Sequence, residues 1–162
     1  MTLALVRQES GELTAHLADE PATLELGARL AHALAPGHKI YISGELGAGK
    51  TTLVRGLLRE LGYRGRVKSP TFSLVELYRV SSLDLYHFDF YRFSDPKEWV
   101  DAGFREQFGG AGICLVEWTE KAGDRLPPPD VRIRLEHAAV GRNVRLAADT
   151  DEGKQCLEKL IG

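Results

Sequence analysis

The stretch GELGAGKT, Gly44 to Thr51, constrains this chain more than any other. It follows the apolar alternation of Ile40 and Ile42 in HKIYIS, and it precedes TTLVRGLLRELG, where Leu53, Leu57, Leu58 and Leu61 recur on one helical face until Gly62. Strand, glycine-rich loop and helix in succession satisfy Gly-x-x-x-x-Gly-Lys-Thr at every fixed position, the pattern of a phosphate-binding P-loop. Glycines let the backbone take positive φ and bring N–H groups close to phosphate oxygens, while the following helix presents its positive end. The pattern predicts that Glu45, Leu46, Gly47, Ala48, Gly49, Lys50, Thr51 and Thr52 wrap a nucleotide polyphosphate. Lys50 is then expected to reach the β- and γ-phosphates, and the Thr51 hydroxyl to ligate a magnesium ion bridging them.

Such a loop needs acidic partners at the ends of neighbouring strands to position metal and water. Glu117 ends the apolar run ICLV, and Asp89 lies in the aromatic run LDLYHFDFYRF, where a carboxylate among Phe88, Phe90 and Tyr91 is costly to bury without a partner. Either carboxylate can touch the metal directly or through water, with a salt bridge or helix cap as the bland alternative. The base is assigned by elimination. Asn143 is the only asparagine, so the Asn-Lys-x-Asp guanine reader is absent, and no LSGGQ stretch occurs. Adenine, as ATP or ADP, is left.

The surrounding segments predict an α/β fold of three layers, P-loop NTPase-like, with a mixed parallel and antiparallel central sheet. A helix is expected from Pro21, with Leu24, Ala28, Ala31 and Leu34 at helical spacing, stopped by Pro36-Gly37. TFSLVELYRV and LDLYHFDFYRF read as antiparallel strands joined at Ser81-Ser82. Residues 95–108 read as one helix with Asp95 as N-cap and Pro96 at its first position, and ICLV as a strand covered on both faces. DVRIRLEH and RNVRLAAD alternate as a hairpin about Gly141, and a helix over 152–161 follows. Trp99 and Phe104 are expected against the sheet, a partner surface being the alternative.

At 162 residues the chain suits one domain, 1–162. No apolar run is long enough for a membrane span, and Arg7, Glu9 and Glu12 interrupt the N-terminal stretch too early for a leader, so a cytoplasmic location is expected. Cys114 and Cys156 stand far apart and are expected as buried free thiols; the histidines have no ligand spacing that would predict a structural zinc. A net charge of −2 argues against nucleic-acid binding by charge alone, and Arg64, Arg66 and Lys68 read as a solvated loop.

GELGAGKTT, SPTFSLVELY (Ser69 to Tyr78), YHFDFYR (Tyr86 to Arg92) and LVEW (Leu115 to Trp118), in this order and at these separations, resemble the bacterial TsaE (YjeE) family of threonylcarbamoyladenosine biosynthesis ATPases. The likeness runs from the first helix to the final hairpin. It implies a magnesium-dependent ATPase acting with the TsaB and TsaD proteins, which install a threonylcarbamoyl group on the adenosine beside the anticodon. On that reading tRNA is reached only through the complex, and hydrolysis by the isolated chain is slow. It also implies nucleotide and metal handling by Lys50, Thr51, Asp89 and Glu117, a switch carrying Thr71 near the metal or γ-phosphate, and Trp118 close to the nucleotide. The chain departs from the family pattern at Glu45, where aspartate is frequent, and at Thr119, where proline is common. Which carboxylate holds the metal stays open.

Two other classes share the loop. A small-molecule or nucleoside kinase needs an acceptor site and commonly an arginine-rich lid, but the one region long enough, 94–112, is acidic and aromatic. A non-hydrolysing nucleotide-gated binding module is the other.

Overall fold

The structure, a computed structural model, describes residues 3–162; Met1 and Thr2 of the N-terminal stretch lie outside the described residues. In chain order the elements are β1 (Val6–Arg7), β2 (Leu13–Leu17), α1 (Glu20–Ala33), β3 (Lys39–Ser43), α2 (Lys50–Glu60), β4 (Val75–Val80), β5 (Leu83–Asp89), α3 (Lys97–Asp101), α4 (Arg105–Gly109), β6 (Ile113–Glu117), β7 (Val131–His137), β8 (Arg142–Ala148) and α5 (Asp151–Ile161). The strands form one sheet of eight in the order β1-β2-β8-β7-β3-β6-β5-β4. β7, β3, β6 and β5 run parallel, while β1-β2-β8-β7 and β5-β4 pair antiparallel, so the sheet is mixed as expected. No helix among the described residues is long and apolar enough to cross a membrane.

Alternation along the strands sorts the core into two layers. Ile40 and Ile42 of β3 and Ile113 and Leu115 of β6 join α1, α2 and α5 in one cluster, whereas Tyr41, Cys114 and Val116 join Phe88, Phe90, Phe93, Trp99 and Phe108 in the other. The second layer, with Trp99 of α3 and Phe108 of α4, covers the β3-β6-β5 region. β7 therefore shows the strict pattern of buried Val131, Ile133 and Leu135 between exposed Arg132, Arg134 and Glu136, and β6 is buried throughout. Trp99 is fully buried, and Phe104 is partly buried with its ring against those of Phe88 and Phe90, as expected. Cys114 and Cys156 are buried free thiols, each pushed up by desolvation to about 11.

Helix α2 lies against α1 at unusually short range because both carry glycine at the crossing. A Cβ on Gly27 would stand 2.3 Å from the Leu53 carbonyl oxygen, and one on Gly56 would stand 2.4 Å from that of Leu24.

Four expectations are corrected. The buried face of α1 is Thr23, Leu26, Gly27, Leu30, Ala31 and Ala33, so of the positions at helical spacing Ala31 is buried while Leu24, Ala28 and Leu34 are half-buried. The strand expected over 71–80 begins only at Val75, since the Leu74 N–H turns back to the Pro70 carbonyl and Leu74 takes φ 69°. β5 likewise ends at Asp89, the chain turning through 90–93. The single helix over 95–108 is two short ones, broken where Gly103 takes φ 75°. Strands β1 and β2 carry no expectation from the sequence: their mixed polar and apolar residues pair only because β8 supplies an edge.

Candidate functional site

The chain leaves β6 on one side of β3 and returns as β7 on the other, so the strand order reverses at the C-terminal end of β3. A crevice at such a reversal is where open α/β sheets hold ligands. The loop from Gly44 fills it. Gly47 and Gly49 take φ 78° and 103°, and a Cβ on Gly44 would stand 2.6 Å from the Leu135 carbonyl oxygen, so all three positions require glycine. Gly49 starts α2 without a side-chain cap, which leaves the first-turn N–H groups and the positive helix end facing the crevice. From the far side, Arg142 of β8 donates from Nη2 to the Gly47 carbonyl at 2.9 Å.

Alternation brings the acids to the same place. Leu85, His87 and Asp89 of β5, and Ile113, Leu115 and Glu117 of β6, share a parity, and Leu85, Ile113 and Leu115 belong to the layer under α1 and α2. Asp89 and Glu117 are register partners, and Ile42 of β3 is the next partner across. Both carboxylates are therefore set side by side at the ends of parallel strands, on the α2 face. Each is buried and each is hydrogen-bonded, which meets the cost of removing it from water. Asp89 Oδ2 accepts from Ser69 Oγ at 2.9 Å and from Thr71 Oγ1 at 3.1 Å, and Oδ1 accepts from the Tyr91 N–H at 2.9 Å. Glu117 Oε2 lies 2.6 Å from His87 Nε2.

Lys50 opens α2 and is buried. Its ammonium donates to the Gly44 carbonyl and stands 4.2 Å from the centroid of the Trp118 ring. Burial lowers the lysine pKa, and Glu117, Asp89 and Glu120 offset that loss. Trp118 holds this position with φ 57°, and its ring lies 4.9 Å from that of Tyr91.

Leu46, Gly47, Gly49, Lys50, Thr51, Thr52, Thr71, Asp89, Glu117 and Trp118 thus surround one cleft of about 360 Å³. Of the residues expected from the sequence, Ala48 is buried beneath the loop and Glu45 opens onto the neighbouring groove with Glu120 and His137. Ser69, Tyr91, His87 and Arg142 were not expected. His87 was detectable, since it stands two positions before Asp89 in an alternating strand; Arg142 was not, because only sheet order brings β8 beneath the loop.

The donor set suits a hard divalent cation with a polyphosphate. It offers carboxylate and hydroxyl oxygens from Asp89, Glu117 and Thr51, with no thiolate and one imidazole already bonded to a carboxylate.

The family model described as threonylcarbamoyl adenosine biosynthesis protein TsaE matches residues 17–145. The tRNA threonylcarbamoyladenosine biosynthesis protein TsaE of Haemophilus influenzae is 41% identical over 150 residues, covering 90% of this chain and 95% of the relative. The protein of the same name from Rickettsia felis is 35% identical over 133 residues, covering 82% and 76%. The crystal structure of Bacillus subtilis YdiB superposes with a TM-score of 0.80 at 27% identity, over 99% of this chain and 97% of that one.

Proposed function

The chain belongs to the TsaE family of threonylcarbamoyl adenosine biosynthesis proteins, and we propose that it binds ATP with magnesium in the cleft at the end of β3 and hydrolyses it in the service of the TsaB and TsaD proteins. The observation that carries this reading is the buried Lys50 at an uncapped helix start, facing two buried carboxylates on adjacent parallel strands.

The loop N–H groups and the α2 terminus bind the phosphate oxygens, and Lys50 exchanges its Gly44 carbonyl for a phosphate oxygen. Magnesium, bound with the nucleotide, supplies charge neutralisation on the phosphates. The Thr51 hydroxyl and Glu117 are the residues to hold it: Glu117 has one oxygen engaged by His87, whereas both oxygens of Asp89 are engaged by Ser69, Thr71 and Tyr91. Asp89 instead orients water and tethers the 69–74 segment through Ser69 and Thr71. Water attacks the γ-phosphorus, the bond to the β,γ-bridging oxygen breaks, and ADP and phosphate leave. Trp118 and Tyr91 shield the phosphates from bulk water.

The test is ATP hydrolysis by the purified chain with TsaB and TsaD present. Lys50→Ala is expected to slow it about 10²–10³-fold, the loss typical of an electrostatic stabiliser used in the transition state. A wild-type rate for Lys50→Ala would overturn the assignment. Co-purification with TsaB and TsaD, with and without ATP, tests the partnership separately; failure to associate in both conditions would favour a stand-alone hydrolase or kinase.

A further inference from the structure

The buried pair His87–Glu117 is built more deliberately than a core filler requires. His87 lies on the central face of β5, Glu117 at the end of β6, and the two side chains are 0% and 3% exposed at an Nε2–Oε2 separation of 2.6 Å. The other ring nitrogen, Nδ1, is buried with no hydrogen-bond partner. Glu76, opposite His87 on β4, accepts from Ser73 and makes no bond to the imidazole. A buried donor without an acceptor is costly, so the arrangement selects the tautomer with hydrogen on Nε2 and a bare Nδ1. That tautomer donates its Nε2–H to Glu117 Oε2.

We propose that His87 is a positioning residue for the metal-binding carboxylate: its Nε2–H fixes the Glu117 side chain through Oε2 and leaves Oε1 aimed into the cleft for a divalent cation. This rests on the nucleotide-and-metal reading of the cleft. A carboxylate on a two-torsion stem that is held at one oxygen loses less rotamer freedom on binding the metal, and outer partners of this kind typically contribute about 10–100-fold in metal affinity.

The experiment is manganese titration of the full chain with ADP, followed by electron paramagnetic resonance of free Mn²⁺, for wild type, His87→Leu and His87→Gln. Glutamine can place an N–H near the Nε2 position; leucine cannot. His87→Leu is expected to weaken Mn²⁺ binding at least about 10-fold and His87→Gln to stay within about threefold of wild type, with ADP affinity in EDTA equal for all three. Wild-type Mn²⁺ affinity in His87→Leu, or equal losses in both variants, overturns the proposal. Absence of Mn²⁺ binding by the wild type with ADP instead overturns the reading of the cleft itself. If His87→Leu does not fold, ¹⁵N spectra of the wild-type imidazole decide: hydrogen on Nε2 supports the positioning role, and hydrogen on Nδ1 alone overturns it.

Discussion

Lys50 illustrates how much a single residue of this site sets against its own stability. Its ammonium is buried at the start of α2, and burial is the largest influence on it, lowering its pKa from the ordinary 10.5. The unfolded chain therefore binds more protons than the folded one between the lowered pKa and 10.5, so stability from this group rises with pH across that window. Lys50→Met is expected to raise the melting temperature of the nucleotide-free protein near neutral pH by a few degrees, about 2–4 °C for each 1 kcal/mol in a chain of this size. The gain should shrink as pH rises toward 10.5, because wild type recovers what the buried charge costs. Melting curves at the two ends of that range check the sign. The carboxylates separate by a different measurement. Glu117→Gln should raise the magnesium concentration needed for half-maximal hydrolysis about 10-fold, while Asp89→Asn should lower the rate at saturating magnesium with little change in that requirement. The same profile for both variants would contradict the division of roles.

At the scale of elements, the packing of α2 on α1 decides where the loop can sit. Gly27 and Gly56 face backbone oxygens at 2.3 and 2.4 Å from their added Cβ positions, and backbone cannot give way as a side-chain tip can. Gly27→Ala and Gly56→Ala are each expected to cost about 1–3 kcal/mol in urea unfolding, and the double variant less than the sum, since one separation of the helices relieves both clashes. The face of α2 was legible in the spacing of Leu53, Leu57 and Leu58, all buried. The face of α1 was not, because Leu24, Ala28 and Leu34 repeat at helical spacing as well as Leu26 and Leu30 do, and only the glycine crossing chooses between them. In the same way an N-terminal Asp95 signal and a run of good helix formers concealed the break at Gly103, where the second helical turn reorients Phe108 toward Phe88, their rings 5.0 Å apart.

Across the whole molecule, the cleft gathers four separate stretches of chain: the loop after β3, the 69–74 segment, the end of β5 and the end of β6. Nucleotide with magnesium is expected to slow amide hydrogen exchange in 44–52, 69–74, 89–92 and 117–118 together, leaving the α5 helix and the β1–β2 pair nearly unchanged. Protection confined to 44–52 would show that the acids take no part in binding. At a ligand concentration about 100 times the dissociation constant the whole fold should gain about 2.7 kcal/mol, read as a rise in melting temperature that EDTA reduces. Phe72, which stands 84% exposed beside Thr71 with Arg92 5.0 Å from its ring centroid, belongs to the stretch expected to respond most.

From the sequence by itself came the strand, loop and helix around GELGAGKT, the strand ICLV covered on both faces, and the final hairpin. These rest on chemistry written into neighbouring residues: glycine φ freedom, alternation and helical period act within a few positions. Only the tertiary structure decided that Asp89 meets Glu117 in register, that Ser69 and Thr71 bond Asp89, that His87 holds Glu117, and that Arg142 reaches Gly47 from the opposite half of the sheet. Strand order and register join residues far apart in the chain. They are set by which faces can be buried together, and no local pattern carries that information.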